Sequence, residues 1–421
     1  MGYVDLHHRP SKDEIVCLFR VKPAKGVSVR KVAEDIAGES STGTWTDVAT
    51  AGPELKRLSA KVFSISERHV KVAYPRELFE PGNMPQVLSS IAGNIFGMKV
   101  LDALRLDDVT WPRWLIKSFR GPMFGIDGVR KIAGVRKRPL VGTIIKPKVG
   151  LPAWKHAAVA YDAWVGGMDI VKDDENLSDQ TFDRFDERMA KTFAALKKAE
   201  NESGEKKIYL PNVTAETDEM LRRARLVKET GGTHVMVDII TVGWSALQTL
   251  RKASAELGLA LHAHRAEHAA LDKGENGISM QTLASMSRII GVDQLHIGTV
   301  VGKMSGTKAE EMIIKEKTTG KENKASQNPP ALDQEWFGTK PAFPVCSGGL
   351  HPGHVHALVR MFGNDIIIQA GGGVHGHPLG TKAGARAMRQ AVDAAVEGVP
   401  LSKYAEKHNE LKLAIEKWGC R

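Results

Sequence analysis

Residues 139–176 read PLVGTIIKPKVGLPAWKHAAVAYDAWVGGMDIVKDDEN: a short apolar run, a longer helical stretch, then a second short apolar run. That alternation is expected of β/α units sharing a parallel sheet. It continues downstream. After PLVGTIIKP (139–147) and DIVKDDE (169–175) come KIYLPNV (207–213), HVMVDIITV (234–242), LALHAHRA (259–266), QLHIGTV (294–300), AFPVCSG (342–348) and DIIIQAGGG (365–373). Eight such runs are the number that closes a (β/α)8 TIM barrel, with an open doubly wound sheet as the alternative. The runs begin apolar and give way to charged, His or Gly residues, so polarity gathers where barrel enzymes place their chemistry, at the C-terminal ends of the strands.

Upstream, residues 1–135 mix strand and helix signals. EIVCLFRVKP (14–23), a helical stretch from Val29 to Gly38, KVFSI (61–65), HVKVAYP (69–75) and the helical NMPQVLSSIAGNIFG (83–97) predict a smaller α+β, ferredoxin-like domain. The barrel is then expected over 136–421. Between Lys303 and Pro341 the hydrophilic KEKTTGKENKASQNPP predicts a solvated excursion or lid.

The length of 421 residues suits a barrel with a smaller partner domain, and 42% hydrophobic with 26% charged residues is a soluble globular composition. The net charge of +10 is spread along the chain and forms no RNA-binding signature, so nucleic acid is not an expected partner; it suits a highly anionic small substrate. Cys17, Cys346 and Cys420 form no CxxC pair, which argues against a zinc site or disulfide framework and for a reducing, cytoplasmic setting. No apolar stretch reaches the roughly 18 residues of a membrane span.

Several strand ends carry chemistry. In Lys172-Asp173-Asp174-Glu175-Asn176, strand periodicity turns Lys172 and Asp174 to one side. Asp174 and Glu175 suit a hard cation such as Mg²⁺, and Lys172 joins them only if its positive charge is removed, as carbamylation by CO2 would do. A solvated turn is the bland alternative. Lys146 and Lys148, two residues apart, share a side; like charges held close lower the pKa of one, which would make it a general acid or base, with a solvent-facing pair flanking a turn as the alternative. His262, His264, Arg265 and His296 converge on the same mouth, with Arg265 suited to a phosphate. Ser347-Gly348-Gly349 and Gly371-Gly372-Gly373, after the seventh and eighth strands, let backbone N–H groups approach an anion, the usual barrel phosphate site. His351, His354, His356, His375 and His377 read as ordered loop residues.

Together TIIKPKVGL, GGMDIVKDDENL, HAHRAEH, LHIGTVVGK, SGGLHPGH and AGGGVHGHP resemble, in order and spacing, the active-site motifs of the ribulose-1,5-bisphosphate carboxylase/oxygenase large subunit, in its archaeal, form III-like branch. The resemblance covers nearly the whole chain. It implies a Mg²⁺-dependent carboxylation of ribulose 1,5-bisphosphate, with oxygenation as a side reaction, through a metal-stabilised enediolate. By position it implies that Lys172 is carbamylated by activator CO2, binds Mg²⁺ with Asp174 and Glu175, and acts as the general base. Lys146 would then be the proton donor and acceptor, tuned by Lys148, and His264 a proton-transfer residue. Arg265 and His296 would hold one phosphate. Ser347, Gly348, Gly349, Gly371 and Gly372 would hold the substrate and its other phosphate, and Lys303 would close over the site on a mobile loop.

Glu39, Thr44, Trp45 and Asn94 match residues that, in the family, come from a neighbouring subunit. A homodimer or ring of dimers is implied, with no small subunit. Three departures accompany the match: Ile144 stands where many members have threonine, Ser305 where many plant-type members have glutamate, and the tail is shorter than in plant-type chains. The rival readings are a carboxylase-like enolase or isomerase that fixes no CO2, a zinc barrel hydrolase using His262, His264 and His296, and a non-catalytic anion- or nucleic-acid-binding protein.

Overall fold

The computed structural model describes residues 2–420 apart from Trp45, Asp47, Ala51 and 303–305. The chain divides into two compact units: residues 1–121, 267–290 and 320–339 form the first, and 122–266, 291–319 and 340–421 the second. The sequence reading places a single boundary after residue 135, whereas the contacts weave two later excursions into the first unit and give the helix Gly125–Ala133 to the second.

The first unit is an α+β sheet domain. Ile15–Pro23, Lys61–Ile65, His69–Tyr74 and Leu101–Thr110 form its antiparallel pairs, and the short strand Gly277–Ile278 adds in parallel beside Leu101–Thr110. The helix Val29–Glu39 is capped by the Ser28 side chain, which accepts from the Lys31 N–H, and buries Val32, Ala33, Ile36 and Ala37.

In the second unit all eight expected strands form: Leu140–Ile144, Ile170–Lys172, Ile208–Leu210, His234–Asp238, Ala260–His264, Gln294–His296, Phe343–Ser347 and Ile367–Gln369. They pair in parallel, first beside second and eighth beside first. The remaining seam, between third and fourth, is bridged by the Val213 N–H donating to the Met236 carbonyl at 2.9 Å and the Met236 N–H to Pro211 at 2.8 Å. The eight-stranded TIM barrel is thus the architecture. The run HVMVDIITV splits, its strand ending at Asp238 and a helix beginning at Ile239.

One end of the barrel is plugged. Ile126, Val129 and Ala133 of the helix Gly125–Ala133 pack with Leu140, Ile170, Ile208, Met236, Phe343, Val345 and Ile367. Asp293 fixes the helix start by accepting from the N–H groups of Phe124 and Gly125 at 2.6 and 2.9 Å, and ties it to the sheet through the Leu261 N–H at 3.0 Å. Apolar packing at the strands' N-terminal ends leaves their C-terminal ends for polar side chains.

The expected solvated excursion is met only in part: Lys321, Glu322, Lys324, Gln327 and Asn328 are exposed, but the segments on either side pack. Lys308–Thr319 is a helix burying Glu311, Ile314, Lys317 and Thr318, and Gly320–Thr339 belongs to the first unit. Trp336 is fully buried there, with the Arg288 guanidinium 4.1 Å from its ring centroid. One large aromatic outweighs the hydrophilic composition around it. No helix among the described residues is long and apolar enough to cross a membrane.

Candidate active site

The second strand ends in a buried charge cluster. Lys172, Asp173 and Asp174 are all wholly buried. The Lys172 ammonium donates to the Asp173 carbonyl at 2.9 Å and lies 3.5 Å from Glu175 Oε2, while Lys146 Nζ, reaching over from the first strand, donates to Asp174. Lys148 Nζ lies 3.5 Å from Asn176 Oδ1. Lysine and carboxylates withdrawn from water are costly to keep unless paired, so this cluster is built at the expense of stability.

Burial works to raise the Glu175 pKa, but Lys172, His264 and Lys146 outweigh it and bring it from 4.5 to about 2. A carboxyl depressed in the folded state contributes stability that is present above its unfolded pKa and lost as pH falls through the folded one. Glu175→Gln is therefore expected to flatten the acid loss of thermal stability between about pH 4.5 and 2. Identical wild-type and variant melting curves across that window would count against the pairing.

Asp173 points away from this group and serves as its anchor. Its carboxylate accepts from Tyr209 Oη at 2.6 Å, the Asn212 N–H at 3.0 Å and Arg188 Nε at 3.2 Å, and lies 3.2 Å from His156 Nε2. Burial opposes ionisation, but Arg188, His156 and Tyr209 hold it well below the usual carboxylate range. Asn212 also donates to the carbonyls of Glu175 and Leu177 at 3.2 and 2.9 Å, fixing the turn that carries Glu175. None of these supports was singled out from sequence. A polar residue ending the third run, Asn212, was the available signal.

The histidines separate by depth. His264 Nδ1 bonds Asp238 Oδ1 at 2.6 Å and its Nε2 lies 3.6 Å from Glu175 Oε2. His262 and His296 are buried and bond each other through their Nε2 atoms at 2.9 Å, with His262 Nδ1 on Gln294 at 2.6 Å. Burial first, then the neighbouring cations, pushes both well below the ordinary histidine range, so they are neutral. His264 and His296 remain ring neighbours, 4.7 Å between centroids. The fourth strand's terminal Asp238, which orients His264, was also missed from sequence.

The glycine loops approach the lysines and each other. A Cβ on Gly371 would lie 2.9 Å from Lys146 Cε, so the lysine stem crosses this glycine closely. A Cβ on Gly302 would meet the Gly348 carbonyl at 2.0 Å, which brings the loop after the sixth strand against Ser347-Gly348-Gly349. Gly349 has φ of +75°, a left-handed conformation that a side chain would strain. Arg265 Nη2 and Glu311 Oε1 both flank Gly298, at 2.6 and 2.3 Å from where its Cβ would be. Gly372 has open space around it.

In the first unit Asn94 Nδ2 lies 3.5 Å from Glu39 Oε1. Glu39 and Thr44 line one cavity of about 520 Å³ with Lys31, Lys99 and Met98. Trp45, Lys303 and Ser305 lie outside the described residues.

Residues 2–115 match the family described as ribulose bisphosphate carboxylase large chain, N-terminal domain, and residues 125–418 match its catalytic domain. The chain is 50% identical to the ribulose bisphosphate carboxylase of Methanosarcina barkeri over 421 residues, covering 99% of this chain and 98% of the relative. Among solved structures, the dimeric archaeal Rubisco from Hyperthermus butylicus is 44% identical with a TM-score of 0.95, covering 99% of this chain and 98% of that one. The octameric ribulose-1,5-bisphosphate carboxylase/oxygenase of Pyrococcus horikoshii OT3, in complex with sulfate ion, is 45% identical with a TM-score of 0.92, covering 99% and 96%. Full-length identity of this order, with both domains matched in sequence order, is decisive: the chain belongs to the ribulose bisphosphate carboxylase large chain family.

Proposed function

We propose that this chain carboxylates ribulose 1,5-bisphosphate, combining it with CO2 and water to give two molecules of 3-phosphoglycerate, with oxygenation as a side reaction. The observation that carries the reading is the buried Lys172 beside Glu175, with Lys146 laid across the neighbouring Asp174.

The donor set fits Mg²⁺. Asp174 and Glu175 offer carboxylate oxygens at the end of the second strand, and one or two carboxylates with water and substrate oxygens are the usual surroundings of Mg²⁺. Lys172, if converted by CO2 to its carbamate, would complete an all-oxygen set with Asp174 and Glu175. When bound, Mg²⁺ supplies Lewis-acid stabilisation of charge developing on the substrate oxygens. As its carbamate Lys172 would serve as general base toward the C3 proton, and Lys146 Nζ, tuned by Lys148, would give and accept protons at the reacting carbons. His264, oriented by Asp238, moves a proton and contacts the sugar hydroxyls.

Arg265 and His296 hold one phosphate; Ser347, Gly348, Gly349, Gly371 and Gly372 hold the substrate and the other through close backbone approach. Lys303 closes over bound substrate and positions CO2. Glu39, Thr44, Trp45 and Asn94 complete the site of a neighbouring copy, so the working unit is a homodimer or a ring of dimers; the relatives described as dimeric and octameric support that range.

Purified protein given ribulose 1,5-bisphosphate, Mg²⁺ and labelled CO2 without oxygen is expected to place acid-stable label in 3-phosphoglycerate. Consumption of the bisphosphate with no label in product would favour the non-carboxylating enolase reading. Ligand addition gives a second expectation: Mg²⁺ and bicarbonate together raise the thermal midpoint more than either alone, because each completes the site for the other. The synergy should vanish in Lys172→Ala; synergy that survives there would place the metal elsewhere.

A further inference from the structure

A hydrogen-bonded relay behind Lys146 has no part in the reading above. Thr143, wholly buried near the end of the first strand, donates through Oγ1 to the Ala370 carbonyl at 2.7 Å. Its hydroxyl proton is thereby used, so at the 2.9 Å contact with His375 Nε2 the ring must be the donor. His375 Nδ1 then accepts from Thr381 Oγ1 at 3.0 Å, at the start of the helix Gly380–Glu397. The His375 ring also hydrogen-bonds the Ile144 backbone, so it meets the end of the first strand at two adjacent residues. Burial, with Lys146 nearby, brings His375 down to about 4, so the neutral form this pattern needs is the resting one.

The relay joins two elements that meet at Lys146. Three residues after Thr143 the chain places Lys146, whose stem crosses Gly371; Ala370 and His375 flank that glycine. The loop itself is shaped by its own backbone, with the N–H groups of Val374 and His375 both donating to the Gly371 carbonyl at 2.9 and 3.1 Å. A Cβ on Gly373 would also meet the Leu350 carbonyl at 2.1 Å, packing the loop from the other side. The loop therefore keeps its form without the imidazole, whereas the first strand's end meets it through Thr143 and His375 in addition to the Ala370 N–H bond to the Gly142 carbonyl at 3.0 Å.

We propose that His375, through Thr143, is a positioning residue that sets where Lys146 lies relative to Gly371 and Asp174. This rests on the proton-transfer role given to Lys146. Ile144, beside Thr143, contributes a backbone hydrogen bond to the His375 ring and no hydroxyl.

The test compares Thr143→Val and His375→Leu with Thr143→Ser in the full-length enzyme. Misplacing a reacting group by about 1 Å costs up to about 100-fold, so kcat is expected to fall about 10- to 100-fold in the Val and Leu variants. KM for ribulose 1,5-bisphosphate should stay within about threefold, since substrate binding is not what is lost. Thr143→Ser should restore kcat, and thermal midpoints should move by no more than about 4 °C. An unchanged kcat in Thr143→Val, or an equal loss in Thr143→Ser, overturns the positioning role while leaving the carboxylase reading intact. A wild type that fixes no CO2 overturns both.

Discussion

Lys172→Ala is expected to abolish CO2 fixation while the protein remains folded. Loss of a general base alone costs about 10²- to 10⁴-fold, and in the proposed mechanism the same change would remove a metal ligand as well. Folding should survive because the ammonium does little for it. Lys172 is wholly buried, its one near carboxylate is 3.5 Å away, and withdrawing that charge from water has a cost the pairing does not clearly return. Lys172→Met, which keeps the stem and removes the charge, should therefore melt at or above the wild-type temperature and be equally inactive. Turnover by labelled-CO2 incorporation and melting by calorimetry check the two halves separately. Residual fixation within tenfold of wild type in either variant would remove Lys172 from the centre of the mechanism.

The largest expected effect on stability lies one shell outward. Arg188 is wholly buried, bonding Asp173 at 3.2 Å, the Asp183 carbonyl at 2.9 Å and the Ser178 carbonyl at 2.7 Å. Arg188→Ala takes the arginine away from two buried carboxylates, Asp173 and Asp183, the latter with Oδ1 3.5 Å from Arg188 Nη1, which costs about 3–5 kcal/mol. Urea unfolding should show that loss as a lower midpoint with little change in slope. Activity should fall too, because Asp173 fixes the strand end between Lys172 and Asp174. A destabilisation below about 1 kcal/mol would mean that water or another cation takes the place of Arg188.

Much of the barrel was legible because its strands are apolar on both sides, so each run stands out between amphipathic helices. Where charge entered a strand, the pattern broke. Leu101–Thr110 was not read as a strand because Asp102, Arg105, Asp107 and Asp108 interrupt it. Yet Asp107 and Asp108 are buried: Asp107 is paired with Arg20 at 2.7 Å, and Asp108 accepts the Leu332 N–H at 2.7 Å. Partners more than 80 residues distant are invisible to a local window. The same limit hid Trp336 beneath Arg288 within a segment of otherwise solvated composition.

The candidate site divides the same way. Residues that would touch metal or substrate sit in dense motifs at strand ends, and the structure brings Lys146, Lys172, Asp174, Glu175 and His264 into one cluster. Their supports, Asp238, Asn212, Arg188 and the Thr143–His375 pair, are ordinary residues in sequence and acquire meaning only from the atoms they face. His375 in particular reads as an ordered loop residue, which is true of its backbone and silent about its ring.

CO2 is expected to convert the buried Lys172 amine into the third ligand beside Asp174 and Glu175. Incubating the protein with labelled bicarbonate and Mg²⁺, trapping carbamates by alkylation and locating the label by peptide mass spectrometry tests it most directly. Label concentrated on Lys172, and dependent on Mg²⁺ for its retention, is the predicted result; a Lys172 that stays unlabelled while surface lysines carry the trap would contradict it.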